Sequence, residues 1–163
     1  MIKLNPIPRP KELTKEKVEE LTNEFIKTGK TVYKESYIKK GLLELSNSKC
    51  AYCECQLEVE SNYCEIEHFH PKKKYPQEVV LWDNLLPSCG RCNKKKGSLD
   101  TKVIEIIHPV KDNPKHHLYY KAYRFYPKTV LGDDTIEELD LNNRQHLVNT
   151  RFVIGDSLED KLK

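Results

Sequence analysis

The sequence predicts an α+β fold, with a ββα unit held by cysteines between a helical N-terminal extension and a mixed C-terminal extension. Three observations predict it. Two C-x2-C pairs frame residues 50–92, helical periodicity precedes them, and strand-like alternation followed by a further helical pattern comes after them. With 163 residues the chain is long enough for about one domain with one modest core.

Residues 1–49 are predicted to form the helical extension. Three prolines within residues 6–10 exclude a helix there, because each removes a backbone donor. Two later stretches carry apolar residues at helical spacing: Val18, Leu21 and Phe25, then Ile38, Leu42 and Leu45. Gly29 is a helix stop between them. The two helices could cover the cysteine-rich unit or dock a partner, and the sequence leaves both open.

The cysteine pairs predict a structural zinc site. Cys50 with Cys53 and Cys89 with Cys92 supply four thiolates, a complete tetrahedral shell for Zn²⁺. Residues 50–97 contain few apolar side chains, so a metal would have to contribute much of their stability. Cys55 and Cys64 lie outside this set and are predicted to be free thiols, although Cys55 could compete with Cys53 for the zinc.

Cysteines that bind a metal must be reduced, which indicates the cellular compartment of the protein. The first residues form no apolar signal segment, and no apolar run approaches the length of a membrane span. We therefore expect a reduced, cytoplasmic protein and no disulfide framework.

Residues 50–108 are predicted to form the central unit. A strand-like run ends before Pro71, a long loop and a short strand follow, and Cys92–Lys96 gives a short helix that ends at Gly97. This order of elements is a ββα unit.

Residues 109–163 are predicted to be a C-terminal extension that packs on this core. A strand is expected over residues 103–107, further strand structure over 118–126, and a turn into a final helix over 136–152. The tyrosines of this part could pack on the sheet or stack nucleobases: Tyr119, Tyr120, Tyr123 and Tyr126. His108, His116 and His117 lack companion ligands at suitable spacing and are predicted to be surface residues.

Positive charge is concentrated beside the cysteines. Residues 50–67 carry no basic residue and 5 Glu, whereas residues 68–97 carry 7 Lys/Arg against 2 Asp/Glu. DNA or RNA would be attracted there by Coulomb steering and counterion release. The predicted nucleic-acid contacts are Lys72, Lys73, Lys74, Arg91, Lys94, Lys95 and Lys96. The alternative is that these lysine runs are solvated turns.

The segment between the cysteine pairs could hydrolyse a phosphodiester. His68 is mostly neutral near pH 7 and could activate water. Glu67 and Asn93 offer oxygen donors, which suit Mg²⁺ or Mn²⁺. Because neighbours on a regular strand face opposite ways, Glu67 and His68 need a strand end or bulge to share a site, and Pro71 favours one. His70 could contact the phosphate or face solvent.

Taken together, these residues resemble the HNH endonuclease motif in its four-cysteine zinc form, a ββα-metal or His-Me finger core. The matching elements are the two cysteine pairs, Glu67-His68, the string "WDNLL" and the string "CNKKKG". More narrowly, "EIEHFHPK" with "NLLPSCGRCNKKKG" is similar to the HNH proteins encoded beside ATPases in Septu and retron-type anti-phage systems.

The resemblance implies roles for four residues. His68 would be the general base, and Asn84, the middle letter, would hold the loop and orient that histidine. Asn93 would be the last letter and would share one catalytic Mg²⁺ or Mn²⁺ with Glu67, which replaces the more usual aspartate. The resemblance also implies a DNA substrate, products with a 5′-phosphate and a 3′-hydroxyl, and an ATPase partner.

Two other functions remain compatible with the sequence. The chain could be a zinc-ribbon-like module that binds nucleic acid without cutting it. It could also be an interaction subunit that is silent until an ATPase partner engages it.

Overall fold

A computed structural model describes residues 1–162 and confirms the mixed α+β architecture with a central ββα unit. Strand β1 (Cys64–His68) pairs antiparallel with β2 (Leu85–Cys89), and helix α3 (Gly90–Lys96) follows β2 directly. The register joins Cys64 to Cys89 at one end of the hairpin and His68 to Leu85 at the other. The cysteine end and the histidine end of the unit are therefore separated by the length of β1.

Local interactions explain where α3 begins and ends. The thiol of Cys89 caps the helix by accepting a hydrogen bond from the Cys92 N–H, with an N···Sγ distance of 3.5 Å. At the other end Gly97 has φ +54° and donates its N–H to the Asn93 carbonyl at 2.9 Å. These caps fix the short helix that carries Cys92, Asn93 and Lys96.

The two predicted N-terminal helices are present as α1 (Lys15–Thr28) and α2 (Ser36–Leu45). Thr14 caps α1, and Gly29 ends it in the left-handed region at φ +68°. Helix α2 packs on both strands of the hairpin, and α1 packs on the 3-10 turn Pro76–Glu78. The helices thus cover the central unit, which was one of the two expected arrangements.

Two groups of buried side chains form the core. One joins the N-terminal helices to the loop between the strands through Leu21, Ile38, Leu42, Val79 and Val80. The other surrounds the cysteines with Tyr52, Phe69, Ile107, Leu139 and Leu141. Strand β2 is buried along its whole length, because apolar material covers both of its faces.

The C-terminal part contains a hairpin and two longer helices. After the short helix α4 (Pro114–His117), β3 (Leu118–Lys121) pairs with β4 (Arg124–Pro127), as predicted for residues 118–126. Helix α5 (Val130–Glu138) and a π-helical turn (Arg144–Val148) then lead into α6 (Asn149–Leu162), the predicted final helix.

The strand predicted over residues 103–107 is wrong. These residues form a turn and irregular backbone, in which Val103 is 72% exposed whereas Ile106 and Ile107 are buried. The Ile107 N–H donates to the Thr135 hydroxyl at 2.8 Å, so a side chain replaces the strand partner. An apolar run without alternation could therefore be buried without joining a sheet.

His108 was also predicted wrongly, as a surface residue. It is buried, and its Nε2–H donates to the Asp83 carbonyl at 3.1 Å. No helix within residues 1–162 combines the length and the apolar character that crossing a bilayer requires.

Candidate active site

His68 is the last residue of β1, and it is only 5% exposed. Its Nε2–H donates to the carbonyl of Val79 at 2.8 Å, so in the neutral ring Nδ1 carries no proton. Burial lowers the pKa of His68 to about 4, which keeps the imidazole neutral near pH 7. Tyr33 contacts the ring edge-on, with the ring centroids 4.5 Å apart.

Glu67 precedes His68 and is 2% exposed. Burial raises its pKa to about 7, although the nearby ammonium of Lys96 opposes that shift. Lys96 Nζ lies 2.6 Å from Glu67 Oε1 and also donates to the His68 carbonyl at 2.9 Å. Lys96 is thus a buried link from α3 to the end of β1, and the prediction that it contacts nucleic acid is not supported.

Glu67 and His68 face the same cleft despite being neighbours on a strand, since β1 ends at His68. The cleft has a volume of about 680 Å³. Its walls come from the N-terminal segment, from β1 and the lysines after it, and from α3: Tyr33, Lys34, Lys39, Glu65, Glu67, His68, Lys72, Lys73 and Asn93. Both side chains thus line one cleft at the end of β1, as a shared site requires.

Asn84 fixes the loop that joins the two strands. Its side chain is 2% exposed, and Oδ1 accepts the His70 N–H at 2.7 Å. Its Nδ2 donates to the carbonyls of His70 and Glu78 at 3.2 and 3.1 Å. Val79, the hydrogen-bond partner of His68, lies in the same loop.

Asn93 reaches the cleft from α3 and contacts Glu65. Its Nδ2 donates to Glu65 Oε2 at 2.5 Å. A carboxylate accepts but does not donate, so this contact turns the amide oxygen of Asn93 away from Glu65. Sequence reasoning missed Glu65, although its two-residue spacing from Glu67 places both carboxylates on one face of a strand.

Five cysteines meet at the opposite end of the hairpin. The sulfur atoms of Cys50, Cys53, Cys55 and Cys89 all lie within 4.8 Å of one another. Cys92 is fully buried, and its thiol interacts with those of Cys50, Cys53 and Cys89, although its sulfur is not one of these four. The close group thus contains Cys55 with three of the four predicted ligands, and Cys64 is buried outside it.

The cluster fits zinc. Thiolates are soft ligands that select Zn²⁺ over Mg²⁺. The Sγ atoms of Cys53 and Cys89 are 3.7 Å apart. Two sulfur ligands of one tetrahedral zinc lie about 3.8 Å apart when each Zn–S bond is about 2.3 Å.

Comparison with known proteins agrees with this geometry. Residues 50–99, which hold the cysteine cluster, β1, β2 and α3, match the HNH endonuclease family. Residues 50–99 are an HNH endonuclease domain. The residues predicted to be the three letters of the motif, His68, Asn84 and Asn93, all lie within this range.

Two relatives of the whole chain are named Septu protein PtuB. The protein from Bacillus thuringiensis is 47% identical over 155 residues, which cover 95% of this chain and 60% of the relative. The one from Bacillus mycoides (strain KBAB4) is 31% identical over 162 residues, covering 79% of this chain and 54% of the relative. The similarity thus extends beyond the HNH domain, although the chain spans only about half to three fifths of each relative.

Several basic residues of the HNH domain have internal partners. Lys74 forms an ion pair with Asp100. Arg91 donates to the carbonyl of Asp140 at 2.6 Å and to its carboxylate at 3.1 Å, and its contact with nucleic acid stays a prediction. The remaining basic surface consists of lysines at the cleft and on α3: Lys72, whose ammonium lies 5.1 Å from the centre of the Tyr33 ring, Lys73, Lys94 and Lys95.

His70 does not line the cleft. Its Nδ1–H donates to the hydroxyl of Thr101 at 2.7 Å, and that hydroxyl donates to the Phe69 carbonyl at 2.8 Å. The side chain therefore supports the loop after β1 and has no direct contact with the cleft.

Proposed function

We propose that this chain is a metal-dependent endonuclease that hydrolyses phosphodiester bonds, with DNA as the substrate and His68 as the general base. One observation carries the proposal. His68, neutral and held in one tautomer by the Val79 carbonyl, lines the same cleft as Glu67 and Asn93.

The bond to Val79 assigns the proton transfer to one atom. With Nε2 protonated, Nδ1 of His68 accepts the proton of the attacking water. The Asn84 contacts keep the loop of Val79 in place, so the ring needs little reorientation during the reaction. Burial keeps the ring unprotonated and ready to act as a base at neutral pH.

Glu67 and Asn93 are the proposed ligands of one Mg²⁺ or Mn²⁺. Their oxygen donors suit these hard cations. Such a cation would offset negative charge on the phosphate and on the leaving oxygen. Lys96 pairs with Oε1 of Glu67, and the second carboxylate oxygen is the proposed ligand atom.

Lys72 and Lys73 at the cleft, with Lys94 and Lys95 on α3, are proposed to hold the phosphate backbone. Contacts of this kind give affinity without base recognition. By similarity to the Septu proteins, we further propose a role in anti-phage defence together with an ATPase partner subunit.

The experiment is plasmid cleavage by zinc-loaded protein in Mg²⁺ or Mn²⁺. We compare the wild type with His68→Ala and with His116→Ala, which changes an exposed histidine outside the cleft. Wild type and His116→Ala should cut, whereas His68→Ala should keep its zinc and lose cleavage by orders of magnitude.

Two other outcomes separate the alternatives. A wild type that binds DNA but never cuts it, with or without the ATPase, would favour the non-catalytic binding module. Cleavage that appears only when the ATPase is added would favour the interaction subunit.

A further inference from the structure

The cysteine cluster contains one thiol more than a tetrahedral zinc needs. Four thiolates complete a closed structural shell. Here Cys50, Cys53, Cys55 and Cys89 have sulfurs within 4.8 Å of one another, and the Cys92 thiol interacts with three of these four. One sulfur must therefore lie beside the metal shell without being part of it.

Cys55 differs from the other four in its exposure. Cys50, Cys53, Cys89 and Cys92 are all buried, whereas Cys55 is partly exposed. Both Cys53 and Cys55 line a separate, mostly apolar groove of about 660 Å³ between the N-terminus, the β3–β4 hairpin and α6. Of the two thiols that line this groove, Cys55 is the more exposed to a small reagent.

Cys55 is also placed to react with one particular ligand. Its Sγ lies 3.4 Å from the Sγ of Cys53. Glu54, between the two, has φ +68°, a turn that curls the backbone. Asn62 Nδ2 donates to the Cys55 sulfur at 3.4 Å and holds it in this position.

We propose that Cys55 is a redox-sensitive fifth thiol of the zinc cluster, which a peroxide converts to a disulfide with Cys53 so that the zinc is released. Hydrogen peroxide oxidises the Cys55 thiolate to a sulfenic acid, and hydroxide leaves. The Cys53 thiolate then attacks that sulfenic sulfur, and a second hydroxide leaves. Overall, two thiolates and one hydrogen peroxide give one disulfide and two hydroxides.

Loss of Cys53 as a ligand explains the release of the metal. A disulfide sulfur is a poor zinc ligand because thiolates, not disulfides, bind the ion. Three thiolates would remain, and one tetrahedral position would be open. This inference rests on zinc in the cluster and does not depend on nuclease activity.

The test measures zinc release from the zinc-loaded full chain in hydrogen peroxide, with a chromogenic chelator and without nucleic acid. Cys55→Ser removes the fifth thiol. Cys64→Ser is the matched control, because Cys64 is a thiol that lies outside the group of close sulfurs. Wild type and Cys64→Ser should release zinc at the same rate, and Cys55→Ser should be slower by about tenfold or more.

Mass spectrometry of the products completes the test. We expect a Cys53–Cys55 disulfide in wild type and recovery of zinc binding after reduction with dithiothreitol. Equal release rates in wild type and Cys55→Ser would overturn the proposal, as would a disulfide between other cysteines. Failure of Cys55→Ser to bind zinc at all would also overturn it, since Cys55 would then be an obligatory ligand.

Discussion

Two buried histidines of this protein keep their neutral form near pH 7. Burial lowers the pKa of both His68 and His108 to about 4. Each ring uses one nitrogen to donate to a backbone carbonyl, Val79 for His68 and Asp83 for His108. In His68 this leaves a base at the cleft, whereas His108 also accepts N–H groups from the backbone and serves the core.

The burial of His108 predicts a pH dependence of stability. Between pH 6.5 and about 4, His108 is protonated in the unfolded chain and neutral in the folded chain. The contribution of neutral His108 to the free energy of unfolding is therefore fully present above pH 6.5 and is lost as the pH falls towards 4. Denaturant titrations at pH 7 and pH 5 should show that the free energy of unfolding falls less in His108→Gln than in wild type. His116→Gln, at an exposed position, should behave as wild type. A fall in His108→Gln as large as that in wild type would show that His108 does not cause the pH dependence.

Glu65 should affect the binding of the divalent cation through Asn93. The Glu65 carboxylate can only accept, which fixes the orientation of the Asn93 amide, whereas glutamine can donate or accept and would release it. Glu65→Gln should weaken Mn²⁺ binding severalfold, about 1 kcal/mol, measured by Mn²⁺ titration. Glu60→Gln, at an exposed position, is the control. Unchanged Mn²⁺ affinity in Glu65→Gln would show that Asn93 does not depend on Glu65.

The sequence predicts the position of some side chains of the site but not of others. His68, Asn84 and Asn93 were predicted because the spacing of cysteines, histidine and asparagines follows a known motif. The burial of Lys96 was not predictable, since a lysine beside two others normally faces solvent. Only the packing of α3 against β1 places its ammonium between Glu67 and the His68 carbonyl.

At the level of elements, helical periodicity and capping residues correctly predict helices, whereas an apolar run without alternation does not correctly predict a strand. Helices α1 and α2 follow from apolar residues at helical spacing, and Gly29 and Gly97 mark two of the helix ends. The strand predicted over residues 103–107 is absent because the burial of Ile106 and Ile107 depends on α5, which is distant in sequence. Thr135 on α5 supplies the hydrogen bond that a strand would have found in a sheet.

Helix α5 also contains a close approach that can be tested. A Cβ added to Gly132 would lie 2.1 Å from the carbonyl oxygen of His117. Gly132→Ala should therefore lower the thermal unfolding midpoint, although alanine is otherwise the better helix former by about 1 kcal/mol. Val130→Ala is the control, because Val130 is 78% exposed on the same helix. A Gly132→Ala midpoint at or above that of wild type would mean that the helix shifts without cost.

For the molecule as a whole, the distribution of charge decides how nucleic acid would be held. Acidic residues of β1 lie inside a cleft whose rim carries Lys72 and Lys73. Phosphates would meet the lysines, while Glu67 and Asn93 remain for a cation. The sequence already separates the signs, since Glu65 and Glu67 precede Lys72 and Lys73, but only the fold places both groups around one cleft.

The salt dependence of DNA binding should distinguish two adjacent lysines. Lys73 is exposed at the cleft, whereas Lys74 is paired with Asp100. Lys73→Ala should weaken DNA binding and reduce the slope of log affinity against log salt by about 1. Lys74→Ala should change that slope much less. Binding is measured by fluorescence anisotropy in Ca²⁺ at several salt concentrations, and equal effects of the two substitutions would rule out a specific role of the cleft.

Helix α3 carries a cluster thiol at Cys92, an amide oxygen at Asn93 and an ammonium at Lys96 within seven residues. At about 1.5 Å per residue it is a rigid rod roughly 10 Å long, too short to bend. A displacement of Cys92 therefore moves Asn93, which follows it directly in the chain. With zinc held by Cys92 and a hard cation held by Asn93, occupancy of either position would alter the affinity of the other by the same factor, which makes the pair a reciprocal, cooperative unit.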